Sequence, residues 1–294
     1  MPELAYVNGE MLALDEAKIS VLDRGFLFAD GVYEVVTVLG GGLVDFSAHM
    51  ARLERSLAEI GMAWPAPPER IADLHRRLLE RSRLDEGYIY LQVTRGAAAA
   101  RDFLPQQETE PSLVMFTCAK TVADVPAARD GIAVASVPDL RWVRRDIKSV
   151  GLLAQVLAKR EAHGRGCQEA WMVQDGMVTE GGSSTAFIVC GREIVTRQNS
   201  TAILPGCTRR AVQALAEERG VDVEERPFSI AEAQAADEAF LTSATNLVMP
   251  VVRIDGQAIR DGRPGPLTLR LRQIYLEFAR ESALQEARAA GRGA

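Results

Sequence analysis

The chain has 294 residues, 47% of them hydrophobic and 25% charged, which suits one large globular domain or two smaller ones. Its net charge of -6, with no long basic block, argues against a nucleic-acid partner and against an anionic membrane surface. An anionic small ligand would have to be met by individually placed arginines. No secretory signal and no apolar run long enough to span a bilayer are present, so the sequence predicts a cytoplasmic protein.

The first part of the chain alternates predicted strands and helices. Asn8-Gly9 predicts a hairpin, and the glycines at 40–42 join two further strands. A helix follows with Ser47 as its predicted N-cap, and a second helix is predicted over 68–84. The segments GYIYLQVTRG and SLVMFTCA complete this part as strands.

Periodicity is lost over 119–130, where we predict a linker. The part that follows is richer in strands, with turn signals and helical segments in the following order: helix near 150–163, hairpins at Asp175-Gly176 and Gly191-Arg192, helix near 208–219, hairpin at Asp255-Gly256, helix near 266–281. The sequence thus predicts an α+β fold of two domains, a smaller N-terminal α/β domain at 1–118 and a strand-rich C-terminal domain at 131–281. Residues 282–294 are predicted to form a flexible tail.

Several common kinds of site are disfavoured. There is no regular βαβ series, no GxGxxG after a strand and no GxxxxGK[ST], which argues against a dinucleotide-binding or P-loop enzyme. Nothing resembles the GxSxG of a serine hydrolase. The cysteines are scattered without a CxxC and the histidines are isolated, so no metal site is predicted. We expect the cysteines to be small buried side chains in a reducing compartment.

Lys148, in the segment DIKS, raises the first question of chemistry. It follows Arg141, Arg144 and Arg145 and precedes a predicted helix. Most lysines in such loops are solvated. A lysine used for chemistry is favoured by nearby cations, because they favour the uncharged amine that attacks a carbonyl. The sequence around Lys148 leaves both interpretations open.

Pyridoxal phosphate is the usual aldehyde partner of a catalytic lysine, and it makes separate demands on a protein. Its phosphate requires a helix N-terminus and a cation, and Gly206 precedes a predicted helix while Arg52 lies in another. Its ring nitrogen requires a carboxylate, and Glu180 ends a strand beside two glycines. Each has an ordinary alternative: a plain capped helix, a solvated arginine and a turn.

A set of fragments occurs here in one particular order: DRGFLFADGVYEVV, HMARL, YLQVTRG, RWVRRDIKS, LLAQVLAKREAHGRGCQEA, VTEGGSS and LPGCTR. In this order the chain resembles the class IV (fold type IV) pyridoxal-phosphate aminotransferases, and within them the bacterial D-amino acid aminotransferases. The resemblance extends over about residues 3–280. It implies the two-domain α+β fold of that family, pyridoxal 5'-phosphate as cofactor and a homodimeric enzyme.

The resemblance implies that three residues contact the ring end of the cofactor. Lys148 matches the lysine that holds the cofactor as a Schiff base and later moves the α-proton. Glu180 matches the carboxylate that faces the pyridine nitrogen. Leu204 matches the side chain that packs against the ring.

Further positions match the phosphate and substrate sites. Arg52 matches a phosphate-binding arginine, and Cys207 and Thr208 match the helix-start pair that holds the phosphate. Ala244 lies where a backbone N–H also reaches the phosphate. Tyr33 matches a tyrosine that helps to orient the substrate.

One segment departs from the family. The D-specific enzymes typically have RGxxxRxH after the strand, where arginine and histidine hold the substrate carboxylate. This chain reads VTRGAAAARDFLP, so Arg101 is displaced by one residue and Asp102 occupies the position of the histidine. Asp102 would repel a carboxylate unless it pairs with an arginine. Arg101 is the first candidate for the carboxylate, and Arg95, at the strand end, is the second.

The function predicted from these residues is ping-pong transfer of an amino group between D-amino acids and 2-oxo acids. Enzymes that would share the site remain as alternatives: an (R)-amine transaminase, a branched-chain L-amino acid transaminase and an aminodeoxychorismate lyase. A non-catalytic protein that binds pyridoxal phosphate is the alternative of a different class. It is disfavoured because nothing obliges a carrier to keep Glu180 opposite the pyridine nitrogen.

Overall fold

A computed structural model describes residues 3–104 and 109–289 of the chain. The chain divides into two compact units, and helices combine with strand-rich sheets as the predicted α+β class requires. The first unit comprises Met1–Thr121, Ile147–Gly151 and Ala279–Ala294, and the second comprises Val122–Asp146 and Leu152–Phe278. The chain therefore passes from one unit to the other more than once, whereas the sequence predicts a single linker at 119–130. In the described part of the chain, no helix is long and apolar enough to cross a membrane.

The first unit is built on an antiparallel sheet. Its strands are β1 (Leu4–Val7), β2 (Glu10–Ala13), β3 (Gly31–Leu39), β4 (Gly42–Leu43), β5 (Glu86–Thr94) and β6 (Ser112–Ala119), and its helices are α1 (Arg24–Phe28), α2 (Phe46–Glu59) and α3 (Pro68–Ser82). The strand order is β2-β1-β6-β5-β3-β4. The predicted hairpin at Asn8-Gly9 is present as β1 and β2.

The core of the first unit lies where α2 and α3 cover the sheet. Leu53 on α2 and Ile71, Leu74 and Leu78 on α3 are fully buried in one cluster with apolar residues of β3 and β5. Their spacing of three and four residues is the helical periodicity of the sequence. The predicted helices therefore exist because each has an apolar face that the sheet buries.

The start of α2 corrects one prediction. The helix begins at Phe46, and Asp45 is its N-cap residue, with φ 51 and no capping hydrogen bond from its side chain, so Ser47 is not the cap. The Phe46 ring is buried against His75, with ring centroids 4.9 Å apart. The backbone N–H of Asp45 donates to Ser282 Oγ at 2.8 Å. Tertiary contacts, rather than a serine cap, set this helix end.

The predicted flexible tail is partly helical. The last helix continues through Ala289, and Ala283 is 3% exposed. Ala283 packs on Gly42 so closely that a Cβ on that glycine would clash with the Ala283 carbonyl oxygen. Burial against β4 therefore extends the helix beyond the predicted end at 281, and the rest of the predicted tail lies outside the described residues.

The second unit contains the larger sheet. Its elements are α4 (Pro126–Asp130), β7 (Ile132–Pro138), α5 (Leu153–Gly164), β8 (Glu169–Gln174), β9 (Met177–Gly181), β10 (Thr185–Cys190), β11 (Glu193–Thr196), α6 (Cys207–Glu217), β12 (Asp222–Glu225), α7 (Ile230–Ala235), β13 (Glu238–Ser243), β14 (Leu247–Ile254), β15 (Gln257–Ala258) and α8 (Pro266–Ala289), whose last turns belong to the first unit. The sheet order is β12-β11-β10-β13-β14-β7-β8-β9, with β15 on β14. The three predicted hairpins are the β8–β9, β10–β11 and β14–β15 connections.

His75 on α3 gives the first unit a pH-sensitive core. It is fully buried, its Nδ1 contacts the Ile71 carbonyl oxygen at 2.8 Å, and its Nε2 has no hydrogen-bond partner among the described residues. Burial lowers the pKa of His75 from 6.5 to about 4. The unfolded chain therefore binds this proton more readily than the folded chain, so stability is lost as the pH falls from 6.5 towards 4.

We expect His75→Phe to flatten this acid dependence. The parent should lose on the order of 3 kcal/mol of unfolding free energy across that window through His75, and the variant should not. Urea denaturation at pH 7 and at pH 4.5 measures the difference, with exposed His163→Gln as the control. Equal acid losses in the parent and in His75→Phe would contradict the assignment.

Candidate active site

Lys148 lies in a short segment that extends the sheet of the first unit. Its carbonyl oxygen accepts from the Tyr33 N–H at 3.0 Å, and Val150 N–H donates to the Gly31 carbonyl oxygen at 3.0 Å. The Lys148 N–H donates to Ser56 Oγ on α2 at 3.4 Å. These contacts hold the backbone at Lys148 in place, and none of them involves the Lys148 side chain. Lys148 is half-buried, and its Nζ lies 4.1 Å from the centre of the Tyr33 ring.

The Tyr33 ring is held by a row of aromatic side chains. Tyr33 stacks on Tyr90 at 5.6 Å between ring centroids, and Tyr90 stacks on Phe116 at 4.9 Å. The Tyr90 hydroxyl donates to Gln92 Oε1 at 2.7 Å, and burial raises the pKa of Tyr90. The row runs across β3, β5 and β6 and presents one aromatic face to the amine of Lys148, where a cation is attracted.

Arg52 is not the solvated arginine that its local sequence favours. Its side chain is 9% exposed and grips Glu34, which is fully buried, through Nε to Oε1 and one terminal nitrogen to Oε2, both at 2.7 Å. His49 Nδ1 contacts the same carboxylate at 2.8 Å. Burial alone would raise the pKa of Glu34, but the charge and hydrogen bonds of Arg52 hold it far below its usual range. The guanidinium is thus fixed in one orientation.

Glu180 is the penultimate residue of β9 in the second unit, and its side chain is 6% exposed. Both its carboxylate oxygens accept from the Leu204 N–H, at 3.2 and 3.1 Å, and Oε1 also accepts from Arg141. Burial raises the pKa of Glu180, against the lowering effect of Arg141 and of the Leu204 N–H. Two of the predicted site residues, Glu180 and Leu204, are therefore brought together by a direct hydrogen bond.

The arginines that precede Lys148 in the chain lie close to acidic side chains. Arg141 binds Asp139 and Glu180, Arg144 pairs with Asp146 at 3.0 Å, and Arg145 lies 3.5 Å from Asp139. Each of these arginines therefore lies beside at least one carboxylate, which offsets its charge. Asp139 and Asp146 are close to these arginines in the chain, whereas Glu180 is 39 positions from Arg141, so the fold determines that pairing.

The start of α6 offers donors for a phosphate. Cys207 and Thr208 are buried, and the N-cap residue is Gly206, so no side chain caps the helix. A Cβ on Gly206 would lie 3.1 Å from Thr185 Oγ1. Thr242, the cross-strand neighbour of Thr185, is buried, and its Oγ1 has no hydrogen-bond partner within the described residues. Helix-start N–H groups and hydroxyls around a glycine fit the phosphate of pyridoxal phosphate. Ala244 lies in the turn between β13 and β14.

Arg101 is exposed and is stacked on aromatic rings. Its guanidinium carbon lies 4.9 Å from the Phe28 ring centre and 5.4 Å from that of Phe103. Arg24 supports the same loop by donating to the carbonyl oxygens of Asp102 and Phe103 at 2.6 and 2.8 Å. Arg24 therefore holds the loop around the displaced arginine at Asp102 and Phe103. Residues 105–108 lie outside the described part.

Arg95, the second carboxylate candidate, is occupied by structural contacts. It donates to Asp30 Oδ2 at 2.9 Å and to the carbonyl oxygen of Ile60 at 2.8 Å. Asp30 also accepts from Arg24 at 2.8 Å. Asp30 and Arg24 belong to the quoted DRGFLFADG fragment, but their contacts were missed, because the pairing with Arg95 joins residues far apart in the chain.

Solved structures of similar fold identify the class of protein. A branched-chain amino acid aminotransferase from T.th., complexed with N-(5'-phosphopyridoxyl)-L-glutamate, matches with a TM-score of 0.88, 26% identity and coverage of 98% of this chain and 97% of that one. A hypothetical aminotransferase from Mycobacterium tuberculosis in its PLP-bound form has the same fold, with a TM-score of 0.81, 21% identity and coverage of 94% and 98%. The fold is that of the fold type IV aminotransferases.

The sequence comparisons identify the family. The family model for amino-transferase class IV matches residues 31–254. The D-alanine aminotransferase of Staphylococcus aureus strain N315 is 36% identical over 278 residues, 94% of this chain and 98% of its own length. That of Bacillus licheniformis is 38% identical over 261 residues, 89% and 92%. This chain belongs to the class IV aminotransferases, and it is a pyridoxal-phosphate-dependent enzyme, as its motifs predict.

Proposed function

We propose that this enzyme transfers amino groups between D-amino acids and 2-oxo acids by a ping-pong mechanism. The observation that carries the proposal is the similarity, over nearly the whole chain, to relatives that are D-alanine aminotransferases. The acceptor follows from the reaction class, because the amino group taken from one substrate must be delivered to a carbonyl compound.

The proposed roles follow the contacts of each residue. Lys148 would hold the cofactor's aldehyde through Nζ until the substrate amine displaces it. The freed Nζ would then carry the proton taken from the substrate α-carbon. Glu180 faces the ring nitrogen, Leu204 packs on the ring, and Tyr33 orients the substrate. Arg52, Thr208 and the N–H groups of Cys207 and Ala244 hold the phosphate. The bound cofactor supplies an electron sink at the ring.

The test of the proposed substrate is a set of single half-reactions. The purified yellow enzyme is mixed separately with D-alanine, L-leucine and (R)-1-phenylethylamine, and the visible band of the bound cofactor is followed. We expect D-alanine to bleach the band at least tenfold faster than the others. A faster reaction with L-leucine would overturn the proposal.

A branched-chain L-amino acid transaminase is the second candidate. It is favoured by the fold comparison, in which the T.th. branched-chain enzyme matches almost end to end. The same half-reactions separate the two candidates, because an enzyme for branched-chain L-amino acids should be converted by L-leucine and hardly by D-alanine.

Arg52→Ala should weaken retention of the cofactor. Loss of a charged hydrogen-bond donor to the phosphate should raise the dissociation constant of pyridoxal phosphate roughly 10- to 100-fold, with a smaller effect on turnover at saturating cofactor. The measurement is the cofactor absorbance that remains after dialysis. The matched control is Arg55→Ala, which removes a more exposed arginine of the same helix that pairs with Glu59. The double variant Arg52→Ala/Glu34→Gln removes the arginine without leaving a buried Glu34 carboxylate that lacks its arginine partner. If both keep the cofactor as the parent does, Arg52 serves the fold alone.

Arg101→Ala should separate amino acids from simple amines. If Arg101 receives the substrate carboxylate, kcat/KM for D-alanine should fall by a factor that corresponds to about 2–3 kcal/mol of transition-state free energy. The kcat/KM for (R)-1-phenylethylamine, which has no carboxylate, should hardly change. Phe103→Leu is the control, since it weakens the stacking but keeps the charge. Equal losses for both substrates in Arg101→Ala would mean that Arg101 holds the loop rather than the substrate.

We also propose that the enzyme is a cytoplasmic homodimer. All four cysteines lie in the described residues and are free thiols, which suits a reducing compartment. Helix α5 presents Leu153, Val156 and Leu157 on one face, and these side chains are 72%, 51% and 48% exposed. An apolar face of this kind supports a contact with a second copy. Light scattering should return twice the chain mass of 32.0 kDa.

A further inference from the structure

A row of alternating charges lies behind Glu180 in the second unit. Asp139, Arg141 and Glu180 follow one another in space, and their side chains are 0%, 5% and 6% exposed. Arg141 stands in the middle and donates to a carboxylate on each side through different nitrogens. Such a row is expensive to bury, because each charge loses its water. Its position next to the residue proposed to face the cofactor's ring suggests a use beyond packing.

Asp139 fixes the direction of the Arg141 side chain. It accepts from the Arg141 backbone N–H at 3.1 Å, from Nε at 2.9 Å and from Nη2 at 2.7 Å. Thr179 Oγ1 donates to the same carboxylate at 2.6 Å. With Nε and Nη2 held on one side, the planar guanidinium can direct Nη1 only to the other side, where Glu180 Oε1 accepts it. Asp139 therefore sets the orientation of the Arg141 guanidinium, and this orientation directs Nη1 to Glu180.

A second arginine lies beside Asp139. Asp139 and Glu180 are opposed by Arg141 and by Arg145, whose Nε lies 3.5 Å from Asp139 Oδ2 and whose terminal nitrogen donates to Gln174 at 2.7 Å. Only Arg141 of these two cations touches Glu180. Without it, the described residues would leave Glu180 as a buried carboxylate held by the Leu204 N–H, and such a group favours its neutral, protonated form.

We infer that Arg141 is a positioning residue that keeps Glu180 ionised and directed, so that the proton shared between Glu180 and the cofactor's pyridine nitrogen stays on the nitrogen. The inference rests on the proposed role of Glu180. A proton on the ring nitrogen is what makes the ring withdraw electrons. Asp139 contributes by holding Arg141, and neither residue touches the substrate in this scheme.

The test reads the proton directly. Holoenzyme is prepared with pyridoxal 5'-phosphate labelled with 15N in the ring, and the 15N chemical shift is recorded at neutral pH for the parent, Arg141→Gln, Arg145→Gln and Glu180→Gln. We expect the signals of Arg141→Gln and Glu180→Gln to move towards neutral pyridine. Arg145→Gln is the matched control, because it removes a cation from the same cluster without removing a contact to Glu180, and its signal should stay at the parent position.

The rate of the D-alanine half-reaction supplies a second readout. It should fall about ten- to a hundredfold in Arg141→Gln, as expected when a charged hydrogen bond to Glu180 is lost. If Arg141→Gln does not fold, Asp139→Asn combined with Arg141→Gln removes both members of the pair and leaves no lone charge from it. The same shift towards neutral pyridine is expected for this double variant.

Each outcome decides between defined alternatives. A parent-like shift in Arg141→Gln or in the double variant overturns the inference while leaving Glu180 in place. An equal movement in Arg145→Gln also overturns it, because the effect would then be one of general charge. A parent-like shift in Glu180→Gln means that Glu180 does not face the ring nitrogen, and the proposed site itself fails.

Discussion

Replacement of Lys148 by alanine is expected to abolish transamination, with a loss of at least about a thousandfold in kcat, because no other group is proposed to carry the α-proton. The fold should survive. The contacts that Lys148 makes with Tyr33 and Ser56 run through its carbonyl oxygen and its backbone N–H, which alanine retains. Among the described residues, the Lys148 side chain contributes only the approach of its Nζ to the Tyr33 ring. The thermal midpoint should therefore change little.

The proposed covalent bond between Lys148 and the cofactor can be mapped. Borohydride reduction of the parent should leave the reduced cofactor on the peptide that contains Lys148, and Lys148→Ala should take up none. Lys159→Ala is the matched control, since Lys159 contacts Ser183 at 2.9 Å and Glu169 at 3.4 Å in the second unit. A cofactor found on Lys159 or on Lys120 would remove the central assignment, whatever the activity of the variants.

Elements with a strong local pattern were predictable. Helices α2 and α3 follow from their apolar spacing, and the hairpins follow from Asn8-Gly9, Asp175-Gly176 and Asp255-Gly256, whose first residues adopt the positive φ that such turns need. The boundaries of β6 were predicted to the residue, since Ser112–Ala119 is a short apolar run between turn residues. In each case the signal lies within a few residues of the structure that it specifies.

Short helices and helix ends were missed because other parts of the chain stabilise them. Helix α1 has five residues, and its cap Asp23 is held by Thr94 and Ser112 at 2.9 and 2.8 Å. Helix α4 also has five residues, which is too short to show a helical periodicity, and it falls inside the predicted linker. Helix α7 could have been found, because Ser229 caps it and Glu232 stands three residues on, which is the pattern of a capping box.

The site divides in the same way. Motifs indicated Lys148 and Glu180, because a lysine in DIKS and a glutamate in TEGG are parts of a recognisable order. The residues that set their surroundings were not predictable. Glu34 is an ordinary strand residue until Arg52 folds over it, and Arg141 points to Glu180 across 39 positions of sequence. The order of charged residues along the chain does not show which acidic and basic side chains form ion pairs in the fold.

Replacement of Glu180 by glutamine should slow the chemistry far more than it weakens cofactor binding. The amide has nearly the same size, and its oxygen can still accept from the Leu204 N–H, so the pocket wall should keep its shape. The negative charge is lost, however, and with it the group proposed to stabilise a proton on the ring nitrogen. We expect the D-alanine half-reaction to fall roughly a hundred- to a thousandfold, the usual effect of removing one preorganised electrostatic partner.

The control and the direction of the effect follow from burial. Burial raises the pKa of Glu180, whereas Arg141 and the Leu204 N–H favour its ionised form, and glutamine mimics the protonated form that these two partners disfavour. Glu169→Gln is the matched control: Glu169 is also a buried glutamate of the second unit, but it binds Ser183, Ser184 and Lys159 instead. Stopped-flow measurement at saturating D-alanine should show the large loss in Glu180→Gln alone. If Glu180→Gln turns over at the parent rate, the ring nitrogen does not depend on this carboxylate. If Glu169→Gln is slowed as much, the loss reports a buried charge in general rather than a partner of the cofactor.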